Sequence, residues 1–227
     1  MLKKLRVDRA SSLADMQLHH STILEELELC RSNFLLQEKC FDGYPALRSL
    51  KYTPSFRCDS AQMEAVIAAS PAILKILCLE IPSLTVSDVL NAISRRLFLI
   101  ENLSLQGSYE PGMLTQAALL KISRKCLCLK TLEIGSSKSV SDINMDVQSF
   151  MTFGMFPSLR SLRVKFDDAL ISSASEMLRL SDSLETLTFW ERKKWIPVAK
   201  WDQMQCQINE INKQFPNRHI ILESVIC

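Results

Sequence analysis

Histidine is the side chain best suited to acid–base work near neutral pH. It occurs three times, at His19, His20 and His219. Adjacent histidines point to different faces of a helix, and no H-x-x-x-H or H-E-x-x-H spacing is present for a metal. Cys126 and Cys128 are separated by one residue, and no second pair lies at zinc-finger spacing. They are read as packing residues, with Cys128 turned inward where a loop meets a strand. No G-x-S-x-G, Walker loop or G-x-G-x-x-G occurs. A nucleophile, a base and an orienting group therefore cannot be assembled, and the chain is expected to have no catalytic residues, no metal and no cofactor. One segment mixes aromatics with cations, WERKKW from Trp190 to Trp195. Such a mixture can stack on and neutralise a nucleic acid strand, anchor a protein partner, or form a solvated loop.

The 227 residues carry 27 basic and 25 acidic side chains, a net charge of +2. This balance argues against a dedicated nucleic-acid binder, which carries a basic stripe. An apolar fraction of 47% is ample for a core. No apolar run reaches the length of a membrane span. The start, MLKKLRVDRASS, lacks the apolar core of a secretory signal. The eight cysteines, at 30, 40, 58, 78, 126, 128, 206 and 227, then read as reduced thiols in a cytoplasmic or nuclear protein.

Internal repetition organises these residues. The pattern L-x-x-L-x-(apolar) begins at Leu2, Leu24, Leu47, Leu74, Ile100, Leu129, Leu159 and Leu184, with steps of 22 to 30 residues. Each copy alternates apolar and polar residues as a half-buried strand does. Between copies lie stretches with helical spacing. Met63, Val66 and Ile67 share one face, as do Leu114, Ala118 and Ile122, with Pro111 near that helix start. Leu170, Ala174, Met177 and Leu178 share another, with Asp167 or Asp168 as N-cap. One strand and one helix cannot enclose a core, whereas stacked copies bury their leucines between neighbours and pair the strands in parallel.

This repeat resembles the leucine-rich repeat family, whose common form continues L-x-x-L-x-L-x-x-N/C. The resemblance covers nearly the whole chain. The ninth position departs from the family, holding Ala10, Ser32, Ser55, Pro82, Ser108, Ser137, Asp167 and Arg192. Serine can supply part of the hydrogen bonding that asparagine gives the turn; alanine, proline and arginine cannot. The resemblance implies an α/β leucine-rich-repeat solenoid, with a curved parallel sheet on the concave side and helices on the convex side. It implies one domain over 1–227, with 191–227 as a C-terminal capping repeat. That repeat holds a helix from about Val198 to Phe215 and a ninth strand in HIILESVI. YPALRSL and FPSLRSL, with KCLCLKTL, are similar to the cysteine-containing repeats of F-box proteins. An F-box is expected as a small helical bundle ahead of the repeats and none is visible. The chain then reads as the repeat half of a longer protein or as a repeat protein without that module.

In such a strand the residues between the leucines face the concavity. Glu26 and Glu28 give it an acidic point, Lys51 and Glu80 follow, and Arg163, Lys165 and Trp190 form a basic-aromatic end. These seven are the candidate partner-binding residues. A mixed surface suits a protein or peptide better than a uniform polyanion. The resemblance implies a protein-interaction scaffold, the substrate-recognition repeats of an F-box-type ubiquitin ligase subunit, with a cullin-ligase adaptor bound through a preceding segment. A free-standing inhibitor-type repeat protein is the alternative. Nucleic-acid binding through Arg163, Lys165, Trp190 and Lys194 is the third reading.

Overall fold

A computed structural model of the chain describes residues 2–9, 21–32, 41–54, 60–81, 86–107, 114–135, 145–165, 167–192 and 197–225. Each repeat phrase becomes a strand. β1 (Lys4–Asp8), β2 (Glu26–Ser32), β3 (Ser49–Pro54), β4 (Ile76–Ile81) and β5 (Asn102–Gly107) are followed by β6 (Thr131–Ile134), β7 (Ser161–Lys165), β8 (Thr186–Arg192) and β9 (His219–Val225). Helices follow the later strands: α1 (Ser60–Ala69), α2 (Val86–Arg96), α3 (Gln116–Lys125), α4 (Val147–Thr152), α5 (Asp168–Leu180) and α6 (Val198–Gln214). The nine strands form one sheet in sequence order, and every neighbouring pair is parallel.

The register explains why leucine recurs. Leu27, Leu50, Leu77, Leu103, Leu132, Leu162, Leu187 and Ile220 pair in one continuous row and are all buried. The first leucine of each phrase makes a parallel row, Leu24, Leu47, Leu74, Ile100, Leu129, Leu159 and Leu184, at 2% exposure or less. Helix residues join them in a single cluster, including Met63, Val66 and Ile67 of α1, Ala118 and Ile122 of α3, and Ile208 and Ile211 of α6. Truncating one such leucine to alanine removes its transfer energy and leaves a cavity, a loss of about 2–5 kcal/mol.

The residue after each first leucine sets the step between units. The Lys3 carbonyl accepts from the amides of both Glu25 and Glu26, and the same two-to-one bond recurs on the carbonyls of Glu25, Arg48, Lys75, Glu101, Lys130 and Arg160 at 2.8–3.0 Å. These bonds satisfy the polar backbone at every junction and hold equivalent residues of adjacent units side by side.

The structure corrects several local expectations. α3 begins at Gln116 rather than near Pro111, which lies outside the described residues. Thr115 is the reason: its hydroxyl accepts from the Ala118 amide and its own amide donates to Ser87 Oγ at 2.8 Å. The expectation of Asp167 or Asp168 as the cap of α5 resolves to Asp167, which accepts from the Ala169 amide at 2.8 Å, with Asp168 the first helical residue. Cys128 is exposed, and Cys126 is the buried member of the pair. Cys126 closes α3, its Sγ 3.6 Å from the Leu97 carbonyl oxygen, and burial pushes its thiol up to about 12. β8 runs to Arg192, so Trp190 to Arg192 belong to a strand rather than to a loop. α6 and β9 fall where a closing helix and strand were expected. Among the described residues, no helix is long and apolar enough to cross a membrane.

Candidate functional site: the open face of the sheet

The helices cover one face of the sheet, and the side chains between the leucine rows line the other. On that open face the central row runs Arg6, Glu28, Lys51, Cys78, then Ser104, Glu133, Arg163, Thr188. Opposite charges therefore meet across neighbouring strands, although they lie 22 to 30 residues apart in sequence.

At the β1–β3 end, Glu28 is flanked by two cations. Lys51 Nζ lies 2.8 Å from its carboxylate and Arg6 Nε 4.0 Å. Lys51 holds the Glu28 carboxyl below its ordinary value, and Glu28 in turn raises Lys51. Glu26, one row along, pairs with Lys4 at 2.9 Å. The expected acidic point is thus internally neutralised. Beside it lies a depression of about 360 Å³ lined by Arg6, Glu28, Lys51, Cys78, Glu80 and Gln106, among others. Burial is the main reason both thiols here, Cys30 and Cys78, sit above their ordinary value. They are protonated hydrogen-bonding groups rather than thiolates.

At the β5–β9 end a second network crosses the sheet. Gln106 Nε2 donates to Ser104 Oγ at 3.2 Å, and Ser104 donates to Glu133 Oε2 at 3.0 Å. Arg163 donates to the other oxygen of Glu133 and, through Nε, to Glu223 at 3.1 Å. Its guanidinium lies 5.5 Å from the centre of the Trp190 ring, within cation–π range.

The basic-aromatic end read from the sequence is corrected here. Arg163 is held between two carboxylates, with its side chain only 27% exposed. Trp190 is 1% exposed, not a surface residue. The physical reason is β9: its Glu223 pairs alongside Trp190, and Lys165 of β7 flanks the other side, while Arg163 covers the ring. The indole Nε1 is buried without a hydrogen-bond partner.

The structure thus gathers Glu26, Glu28 and Lys51 at one end and Arg163, Lys165 and Trp190 at the other, with Glu80 between them on β4. Sequence reasoning missed Glu133 and Glu223 as the partners of Arg163. Glu133 occupies the same motif position as Arg163, so repeat alignment alone places it next door. Glu223 follows a unit whose first leucine is replaced by Asn217, so its register carries no such signal. His19, His20, Lys194 and Trp195 lie outside the described residues. His219 starts β9, five strands from Cys78. Among the described residues no three His, Cys, Asp or Glu side chains converge on one point.

Comparison with known proteins found no matching family model and no significant match among curated proteins.

Proposed function

We propose that the chain is a leucine-rich-repeat solenoid whose open, concave sheet face binds a protein partner. The observation that supports this most is the face itself. Rows of in-register side chains from nine parallel strands lie on one side, pre-paired into two polar networks with a shallow depression between β1 and β5. Pre-paired charges fix side-chain geometry before a partner arrives, which reduces the ordering cost of binding. Mixed signs within each row favour a polypeptide with its own alternating charges.

Within that reading, the repeat phrases and their Pro-x-Leu lead-ins favour the substrate-recognition part of an F-box-type ubiquitin ligase subunit in the cytoplasm or nucleus. The scaffold would hold a substrate while an adaptor binds elsewhere. Nucleic-acid binding at the β7–β9 end loses support, because Arg163 is committed to Glu133 and Glu223 and Trp190 is covered.

The test is affinity capture by the full-length protein with Lys51→Ala and Arg163→Ala variants, blotted in parallel for a cullin-ligase adaptor. The expected result is a captured protein whose recovery drops in at least one variant, together with the adaptor. Recovery unchanged in both variants refutes the open face as the binding surface. Capture without the adaptor refutes only the ligase assignment.

A further inference from the structure

Eleven large apolar side chains are exposed among the described residues, and four of them fall in the turns between a helix and the next strand. These four, Ile73, Phe98, Leu99 and Leu127, stand two or three residues before Lys75, Glu101 and Lys130. Glu101 binds both lysines, at 2.6 Å and 2.7 Å. Those ion pairs, with the backbone bonds on the Lys75 and Glu101 carbonyls, set three consecutive turns side by side, which places the four apolar side chains, at 37–56% exposure, in a row along the rim where strands begin.

Three of the helix ends that border this rim are basic. The helices that end on it carry Arg95 and Arg96, then Arg124 and Lys125, then Arg179 in their last turns. Part of that bias complements the helix dipoles. Beside the ridge, between the C-terminal halves of α1 and α2, lies a cleft of about 440 Å³. Ile67, Ala68 and Ala92 contribute to its lining together with Arg96, which donates to the Ser70 carbonyl, and with Arg95 and Glu64, which lie 3.8 Å apart.

We propose that this rim is a second docking surface, distinct from the open sheet face, and that its occupant is an acidic amphipathic helix of a partner protein. The spacing fits. Adjacent strands are about 4.8 Å apart and a helical turn rises about 5.4 Å. Apolar residues at i, i+3, i+4 and i+7 of one helix therefore meet successive turns of the ridge, while its carboxylates face the arginines and lysines at the helix ends. Apolar knobs with flanking opposite charge are the usual way a helix is read by a groove.

A second copy of the chain is a poorer occupant. The ladder that borders the ridge reads Lys3, Glu25, Arg48, Lys75, Glu101, then Lys130, Arg160, Glu185, Arg218. It is the same in charge from either end. A two-fold pairing that lays the ridge on itself centres on Glu101 and sets like charge against like at every position. An anionic lipid surface would meet the same cations, and vesicle binding is therefore an outcome that overturns the helix.

The experiment uses the full chain and a fluorescent peptide of leucine, alanine and glutamate about 18 residues long, with leucines at helical spacing. Its lysine-for-glutamate version is the control. The proposal expects saturable binding of the glutamate peptide, weakened about tenfold or more by Phe98→Ser with Leu127→Ser. Arg124→Glu with Lys125→Glu should weaken it similarly and move preference toward the lysine peptide. Arg163→Ala should leave it unchanged, which separates the rim from the open face. All four rim positions are exposed, and circular dichroism checks that each variant folds. Absence of saturable binding, equal binding of the lysine peptide, or indifference to both pairs of substitutions overturns the proposal. So does self-association in sedimentation, or phosphatidylserine-vesicle binding, that Phe98→Ser with Leu127→Ser abolishes.

Discussion

Glu101 shows how one residue is set by its repeat position. It sits between Lys75 and Lys130 because all three follow the first leucine of their unit. Hydrogen bonds from Lys130 and Lys75, in that order, together with their charge, pull its carboxyl down from 4.5 to about 2 against the opposing effect of burial. A carboxyl depressed in the folded state contributes stability that is complete above its ordinary value. That contribution is lost as pH falls from about 4.5 toward 2. Glu101→Gln is therefore expected to melt below wild type at pH 6, and the gap should close as pH falls toward 2. Thermal melts across that range check it; a gap independent of pH would show that the carboxylate charge contributes nothing. The partnership was legible in outline, since the repeat offset alone aligns these three residues. The burial of Trp190 was not. It depends on β9, whose unit lacks the leucine that announces the others, and on an arginine 27 residues away.

The elements divide by how strongly their pattern speaks. α1, α3, α5 and α6 were visible because apolar residues recur at helical spacing and all their predicted face residues in α1, α3 and α5 are buried. α2 carries the same signal in Val86, Val89, Leu90 and Ile93, all buried. α4 did not: six residues, VQSFMT, are too few for periodicity to stand out. Its place is fixed instead by tertiary packing. Phe150 lies 6.3 Å from Phe153 and 6.1 Å from Phe189, ring centre to ring centre. Gly154 then permits the close approach of the following turn to α5. A Cβ there would stand 2.8 Å from both Leu180 Cβ and the Met177 carbonyl oxygen. Replacing glycine by alanine stabilises a compatible site by about 0.4–1 kcal/mol, but backbone stands in the way here. Gly154→Ala is expected to destabilise by about 1–3 kcal/mol. Urea denaturation checks it, and a neutral or stabilising result would mean that α5 is free to retreat.

At the scale of the molecule, the fold rests on one repeated bond pattern and one repeated buried side chain. Each unit buries its leucines only against its neighbours, so interior units are covered on both sides and end units on one. The strand order, the parallel pairing and the number of units were legible because eight phrases share one register. Which face carries free charge was not, because the ion pairs that neutralise it are set by neighbouring strands rather than by neighbouring residues. The sheet is also the platform for both surfaces proposed above, since a displaced strand would break every row that crosses it. Hydrogen exchange of strand amides tests that platform most directly. One continuous parallel ladder predicts slowest exchange in β4 to β6, around Leu77, Leu103 and Leu132, with protection falling toward β1 and toward β9. An interior strand that exchanges as fast as the edges, or a β1 as protected as β5, would contradict it.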